Sequence, residues 1–216
     1  MSEYRDYGFT SNEPGQGNTA RALAPLFVAL VRQIQGVESV CDLGCGSGHL
    51  VEQLSRHGYR VTGIDASKSG IAIARQHYAA DSVTFICNEI APAIVNGLLK
   101  PGSFDVVVSC DVIEHLYRPS SLIETAVLLL KPGGVLLVGT PYHGYLKNLA
   151  IGVLDKWDAH HGVDWDGGHI KFFSVRTLRE LVSRHGFGDI RFTFYGRLPW
   201  LWKNMICAAR LARRPE

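Results

Sequence analysis

The sequence contains 216 residues, of which 46% are hydrophobic and 19% are charged. This length and composition predict one globular domain over residues 1–216 and exclude a disordered chain, which would lack the apolar residues needed for a core. The formal net charge of +2 at pH 7 excludes a strongly basic protein, so nucleic acid is not an expected partner.

The N-terminal segment, residues 1–18, is polar and interrupted by glycine and proline, which predicts a flexible lead-in. Because it lacks an apolar run, it does not have the pattern of a signal peptide. No apolar stretch of the chain reaches the ~18 residues of a membrane span. The five cysteines lack the paired spacing of a zinc site, and a chain of this length needs no disulfides. These features favour a protein of the reducing cytoplasm.

Strands and helices alternate through the middle of the chain. Apolar residues at helical spacing over 20–34 predict the first helix, and residues 104–109 have the apolar centre of a strand buried on both faces. Gly58 and the run Pro132-Gly133-Gly134 each follow a predicted helix and indicate its end. The alternation predicts a parallel sheet covered by helices. Further helices are predicted over 48–57, 67–78 and 122–130, and strands over 37–43, 60–64, 83–87, 104–109 and 135–139.

The alternation ends after residue 140. Residues 141–173 are rich in His, Trp, Gly and Asp and predict a long irregular insertion, the kind of segment in which substrates are often bound. Within it, residues 145–157 allow a short helix with one apolar side. A helix is predicted over 174–185, with Ser174 as its N-cap and Gly186 just past its end. Two strands, 190–195 and 204–211, complete the predicted fold.

Three glycines alternate in the turn after the first predicted strand, which reads Asp42-Leu-Gly44-Cys-Gly46-Ser-Gly48. Glycine lets the backbone lie against a ligand without a Cβ in the way. The next strand ends at Asp65, and a carboxylate at that position can accept hydrogen bonds from both ribose hydroxyls of an adenosine. A dinucleotide site would show G-x-G-x-x-G and would avoid a carboxylate beside its pyrophosphate. The turn therefore predicts an adenosine-containing ligand that carries positive charge.

The stretch from Val40 to about Gly139 resembles the core of the class I S-adenosylmethionine-dependent methyltransferases. The resemblance implies an α/β, Rossmann-like sheet of seven mostly parallel strands with helices on both faces, and an antiparallel final strand. It implies S-adenosylmethionine as the cofactor and residues 36–140 as the cofactor-binding core. Two shorter segments, 113–116 and 168–174, resemble ubiquinone-biosynthesis-type O-methyltransferases and their small-molecule relatives. The motifs of the core resemblance are the glycine turn and residues 83–90, 104–115 and 130–134.

Positions in these motifs imply the cofactor contacts. Asp65 matches the family's ribose-binding acid, and Asn88-Glu89 stands where the family usually has Gly-Asp beside the adenine. The family commonly closes its site with N-terminal residues, so residues 1–18 are predicted to form a lid that includes Tyr7. The predicted cofactor-binding residues are Asp42, Gly44, Cys45, Gly46, Gly48, Asp65, Ala66, Glu89, Ile90, Cys110, His115 and Tyr7.

Three histidines fall past the carboxyl ends of the fourth and fifth strands, where ligands bind in sheets of this kind. Methyl transfer to a hydroxyl benefits from a general base, and histidine suits that role near neutral pH. We predict His169 as the base from its place in the family-like segment Gly168-His-Ile-Lys-Phe172, with His143 as the second candidate. The alternatives are a structural role for His169 and a solvent-exposed loop position for His143. In the resembling family, the position of His115 packs under the cofactor.

Several alternatives remain open from the sequence. The predicted reaction is methylation of a hydroxyl on a small molecule; N-methylation, a non-catalytic cofactor-binding regulator and a nicotinamide dehydrogenase are the other possibilities. Residues 145–157 and 199–202 favour a cover over the substrate pocket, with contact to a membrane surface as the weaker alternative. No oligomeric state is predicted. No metal site is expected, because a dense polar loop is more often solvated than metal-binding; its residues are Asp158, His160, His161, Asp164 and Asp166.

Overall fold

The computed structural model describes residues 18–161, 168–196 and 198–212. Tyr7 and all but the last residue of the predicted lid lie outside these ranges, as do Asp164 and Asp166. Every structural statement below concerns the described residues.

Seven strands form one sheet in the order β3-β2-β1-β4-β5-β7-β6. The pairs among β1 to β5 are parallel, whereas β7 runs antiparallel to both β5 and β6. The predicted seven-stranded, mostly parallel sheet with an antiparallel final strand is confirmed. The strands are β1 (Ser39–Leu43), β2 (Arg60–Asp65), β3 (Val83–Cys87), β4 (Phe104–Cys110), β5 (Leu130–Pro141), β6 (Phe187–Tyr195) and β7 (Asn204–Leu211).

Helices cover both faces of this sheet, as predicted. One apolar core contains Val106 and Val108 of β4, and the opposite core contains Val107, so the central strand is buried on both faces. This alternation follows from the two-residue period of a strand. The helices are α1 (Asn18–Arg32), α2 (His49–Ser55), α3 (Lys68–His77), α4 (Pro92–Val95), α5 (Ser120–Leu129), α6 (Tyr145–Val153), α7 (Trp157–His161) and α8 (Val175–Ser183), with a 3₁₀ turn at Ile113–His115.

The start of β5 differs from the prediction. The run Pro132-Gly133-Gly134 lies inside this strand, and α5 ends before it, at Leu129. Pairing with β4 shifts there: β4 advances from Phe104 to Val106 while β5 advances from Leu130 to Val135. The extra residues form an irregularity in the ladder in which Gly133 has a φ of +76°. The glycines therefore bend a strand instead of separating it from the helix.

The last third is more regular than its composition predicts. The segment 141–173 contains α6 and α7, and its residues 162–167 lie outside the described ranges. The predicted N-cap is confirmed, because the Ser174 hydroxyl accepts from the Thr177 N–H and the Thr177 hydroxyl accepts from the Ser174 N–H. None of the described helices is long and apolar enough to cross a membrane.

Candidate functional site

Gly44 and Gly48, in the turn between β1 and α2, are packed too tightly for a Cβ. The backbone N–H groups of Gly44 and Cys45 both donate to the Ile64 carbonyl, at 2.8 and 3.1 Å. A Cβ on Gly44 would lie 2.3 Å from a methyl carbon of Val112, and Gly44, Gly46 and Gly48 all have positive φ. Only glycine adopts this backbone without strain. The alternating glycines are therefore required by the geometry of the turn.

Asp65 joins the end of β2 to the glycine turn. One carboxylate oxygen accepts from the Gly46 N–H at 2.8 Å, and the other accepts from the Ser67 N–H at 2.7 Å. Ser67 in turn caps α3, since its hydroxyl accepts from the Gly70 N–H. The predicted ribose-binding carboxylate is thus fixed in position by the backbone on both sides of it.

Asp42 is a buried carboxylate at the edge of the same turn. It is 2% exposed, and no described residue forms a hydrogen bond with its Oδ1. Burial, followed by the negative charge of Asp65, raises the pKa of Asp42 to about 8. Burying a carboxylate with an unpaired oxygen is unfavourable unless a cation or a donor reaches it. The turn therefore provides a carboxylate oxygen suited to a positively charged group.

The loop after β3 lies beside the end of β2. The Asn88 N–H donates to the Asp65 carbonyl at 2.9 Å, and the Cys87 thiol contacts the Ala66 carbonyl at 3.9 Å. Glu89 and Ile90 are half-buried, and the Ile90 carbonyl accepts from a hydroxyl of α5. Because β3, β2, β1 and β4 are neighbours in the sheet, all described residues predicted to bind the cofactor flank one row of strand ends. Cys45 is buried there and Cys110 is half-buried.

Glu114, His115 and His169 form a second cluster, beyond the end of β4. Glu114 is fully buried; its Oε2 accepts from the Thr140 hydroxyl at 3.0 Å, while Oε1 has no hydrogen-bond partner among the described residues. His169 Nε2 lies 4.0 Å from that oxygen, and its ring meets the His115 ring edge-on at 4.8 Å between centroids. One nitrogen or oxygen from each of the three side chains lies within 4.8 Å of the others. Imidazole and carboxylate are common ligands of divalent metals.

The backbone holds this cluster together. The Glu114 carbonyl accepts from the N–H groups of Ile170 and Lys171, at 2.9 and 3.0 Å, and the Gly168 carbonyl lies 3.3 Å from His115 Nδ1. The end of the 141–173 insertion is therefore fastened to the 3₁₀ turn after β4. Glu114 was not among the residues selected from the sequence. The sequence nevertheless indicates a site there, because a Glu-His pair follows a buried strand and a second histidine lies in the family-like segment.

Burial governs the protonation of the cluster. It raises the pKa of Glu114 well above its usual range, and the neighbouring Asp111 charge raises it further. Burial lowers the pKa of His169 to about 4, and repulsion from His115 adds to this effect. His169 is therefore uncharged at neutral pH.

His143 lies apart from the cluster and is not solvent-exposed. It is 6% exposed, which contradicts the alternative of an exposed loop histidine. Its ring stacks on His161 of α7 and meets Phe172 edge-on, and its Nδ1 lies 3.3 Å from the Asn148 side-chain oxygen. Burial and the charge of Lys147 lower its pKa to about 4. The structure thus brings His169 and His115 together and places His143 under α7.

Comparison with known proteins agrees with this architecture. A family model described as a methyltransferase domain matches residues 16–191. The ubiquinone biosynthesis O-methyltransferase of Caulobacter vibrioides is 40% identical over 152 residues, which cover 67% of this chain and 57% of that protein. Across three such curated relatives, the match spans between 55% and 58% of their length. The chain thus spans a little over half of the relatives it matches.

Two solved structures share the fold at low sequence identity. Magnesium protoporphyrin IX methyltransferase from Synechocystis PCC 6803, with bound S-adenosylhomocysteine, superposes with a TM-score of 0.68 at 20% identity, over 92% of this chain and 90% of that one. The N-methyltransferase NodS from Bradyrhizobium japonicum, also with S-adenosylhomocysteine, gives 0.66 at 17% identity, with the same coverage. The sheet order, the glycine turn and the family match lead to one conclusion: the chain belongs to the methyltransferase-domain family.

Proposed function

We propose that this protein transfers a methyl group from S-adenosylmethionine to a hydroxyl of a small molecule. The proposal depends on two features that lie at the carboxyl ends of the adjacent strands β1 and β4. One is the buried Asp42 carboxylate with an unpaired oxygen beside the glycine turn, and the other is the Glu114–His115–His169 cluster. The first suits a cationic cofactor, and the second suits activation of an acceptor.

The residues present fit the proposed cofactor. When bound, S-adenosylmethionine supplies a methyl group on a positively charged sulfur. The unpaired Asp42 oxygen would face its ammonium or sulfonium, and the three glycines of the turn would let the ligand approach the backbone. Asp65 would hold the ribose, and Glu89 and Ile90 would flank the adenine. The remaining proposed contacts are Gly44, Cys45, Gly46, Gly48, Ala66, Cys110 and, outside the described residues, Tyr7.

For the acceptor side, we propose that Glu114, His115 and His169 together hold a divalent cation, which departs from the expectation of no metal site drawn from the sequence. The specific support is the buried Glu114 Oε1, which lacks a hydrogen-bond partner and lies 4.0 Å from His169 Nε2. A cation at this position would lower the pKa of a hydroxyl placed beside it. The alternative for the same side chain is the role predicted from the sequence, in which His169 accepts the hydroxyl proton directly. His143 would line the acceptor pocket under α7.

Exposed apolar side chains on the 141–173 insertion support an acceptor with an apolar part. Leu149, Trp157 and Phe172 are each between 46% and 49% exposed on the insertion. We propose that they cover the acceptor, and contact with a membrane surface is the alternative use of the same side chains. All five cysteines are unpaired, which supports a reducing compartment such as the cytoplasm.

Turnover with labelled S-adenosylmethionine tests the proposed reaction. The purified protein is screened against phenols, quinols, sugars and amines, with and without EDTA. We expect S-adenosylhomocysteine and an O-methylated product with a hydroxyl acceptor, and loss of turnover on chelation that Mg²⁺ or Mn²⁺ restores. Turnover that persists in EDTA would favour His169 as a direct base. Methylation of amines alone would contradict hydroxyl transfer, and cofactor binding without turnover would indicate a regulator.

A further inference from the structure

Asp111, the first residue after β4, is held in an uncommon backbone conformation. Its φ is +52°, a region that residues other than glycine rarely adopt, although aspartate tolerates it better than most. Its N–H donates to the Gly139 carbonyl at 3.0 Å, and its Oδ1 accepts from the Asn204 side-chain amide at 3.0 Å. Strained residues of this kind persist where surrounding contacts determine them, and they concentrate at functional sites.

The two carboxylates after β4 are anchored on one short stretch of the sheet. Glu114 is held by the Thr140 hydroxyl, and Asp111 is held by the Gly139 carbonyl and by Asn204, which pairs with Pro141 across the β5–β7 ladder. Two of these anchors, Gly139 and Thr140, are consecutive residues of β5, and the third, Asn204, lies on β7 opposite the next residue of β5, Pro141. Glu114 lies in the 3₁₀ turn Ile113–His115, three residues after Asp111, so both carboxylates belong to the same short loop after β4.

Asn204 belongs to none of the motifs recognised in the sequence, and it is 1% exposed at the start of β7. Its side-chain amide donates a hydrogen bond to the Asp111 carboxylate, and no other described residue does so. An amide gives directional donors without adding charge, so it fixes a carboxylate without neutralising it. The neighbouring Lys203 side chain is exposed, and its positive charge also acts on Asp111.

We propose that Asn204 is a positioning residue for the acceptor half of the site. By fixing Asp111 beside the Glu114–His115–His169 cluster, it adds a second negative charge next to the proposed cation. This inference rests on the proposed function. Asp111 does not belong to the group of three close ligand atoms, so its charge would act on the cation from just outside them. Residues that orient a metal site in this way typically change metal affinity by 10–100-fold when they are replaced.

Mn²⁺ binding to the purified full chain, measured by calorimetry and by the EPR signal of free Mn²⁺, tests this inference without depending on turnover. Asn204→Leu keeps the branched shape of the side chain while removing the donor, and Asn204→Ala removes the donor without adding volume. We expect each to weaken Mn²⁺ binding about tenfold and to raise the Mn²⁺ concentration for half-maximal activity equally, with the KM for S-adenosylmethionine unchanged. In an Asp111→Asn background, Asn204→Leu should have no further effect, because both changes act through one carboxylate.

Ser39→Ala is the matched control for structural damage. It also removes a side-chain hydrogen bond to a carboxylate, that of Asp105, but at the amino end of β1. It should lower the melting temperature and leave Mn²⁺ binding unchanged. Wild-type Mn²⁺ affinity in Asn204→Leu, or additive effects with Asp111→Asn, would overturn the role of Asn204 while leaving the cation proposal standing. Absence of Mn²⁺ binding to the wild-type chain would overturn both.

Discussion

At the carboxyl ends of β1 and β2 the site consists of a glycine turn and two nearby carboxylates, whereas beyond β4 and β5 it consists of side chains from distant parts of the chain. The cofactor half depends on a local turn whose glycines, amide groups and Asp65 lie within 22 residues of β1's Leu43. The acceptor half joins Glu114, Thr140 and His169, which are far apart in the sequence. Half of the site is thus determined by local backbone geometry and half by tertiary packing, so changes in one half should leave the other intact.

Gly44→Ala should give the largest effect on the cofactor half. The new Cβ would meet Val112 at 2.3 Å in a backbone with a φ of +83°. Strain of about 1 kcal/mol and overpacking of about 1–3 kcal/mol would add, and S-adenosylmethionine binding should fall below detection. Thermal unfolding measures the loss of stability, and calorimetry measures S-adenosylmethionine binding.

Gly58→Ala is the control for backbone strain alone. Gly58 has a φ of +87° but no atom within 4 Å of a new Cβ. This variant should lose only about 1 kcal/mol of stability and should bind the cofactor normally. Equal losses in the Gly44 and Gly58 variants would show that crowding at the turn is unimportant.

The second largest effect should be the change of cofactor affinity with pH. The pKa of Asp42 is raised to about 8 in the unliganded protein, so the carboxyl is largely protonated at pH 6. A cationic ligand favours the ionised form, and affinity should therefore rise with pH up to about 8, by at most about tenfold per unit. Calorimetry of S-adenosylmethionine binding at pH 6, 7, 8 and 9 measures this slope.

Asp42→Asn should remove that slope and bind more weakly at pH 8, because the amide cannot become negative. The same Kd from pH 6 to 9 in the wild-type protein would contradict the assignment of Asp42 to a cationic ligand.

Replacing Asp105, at the opposite end of the sheet, should have the smallest effect on cofactor binding and turnover. Burial raises the pKa of Asp105, but hydrogen bonds from Lys131, Ser39 and two backbone N–H groups outweigh it and hold the pKa at about 2. Because the pKa of Asp105 is depressed in the folded protein, its carboxylate stabilises the fold fully above about pH 4. This stabilisation is lost as the pH falls through about 2.

Asp105→Asn should therefore lower the free energy of unfolding by about 2 kcal/mol at pH 7, and by much less near pH 2. Denaturant unfolding measures this change. Turnover and cofactor Kd should stay at wild-type values, and a change in either would mean that the functional halves are coupled to the amino end of the sheet.

The same division explains which features could be predicted from the sequence. The sheet, the ends of β3 and β7 and the cap at Ser174 follow from local patterns, namely strand period, turn residues and hydroxyl capping. The glycine turn was recognisable because its backbone conformation requires glycine. The predicted start of β5 was wrong because a Pro-Gly-Gly run can end a helix or interrupt a strand, and here it lies inside β5, after α5 has ended.

The acceptor half was harder to predict because its contacts are long-range. His169 was selected from a family-like segment, but its contact with Glu114 depends on how the insertion packs against the turn after β4. No local pattern indicates that Glu114 is fully buried or that Asn204 reaches Asp111 across 93 positions. These facts emerge only when β5 and β7 lie side by side.

The most direct test of the two-part site is Glu114→Gln, compared with Glu52→Gln, which replaces a buried glutamate on α2. We measure Mn²⁺ affinity, S-adenosylmethionine affinity and turnover for both variants. We expect Glu114→Gln to lose Mn²⁺ binding and at least about 100-fold in kcat, while its Kd for S-adenosylmethionine stays within about twofold of wild type. Glu52→Gln should retain all three values. Wild-type turnover in Glu114→Gln, or a parallel loss of cofactor affinity, would contradict the two-part site.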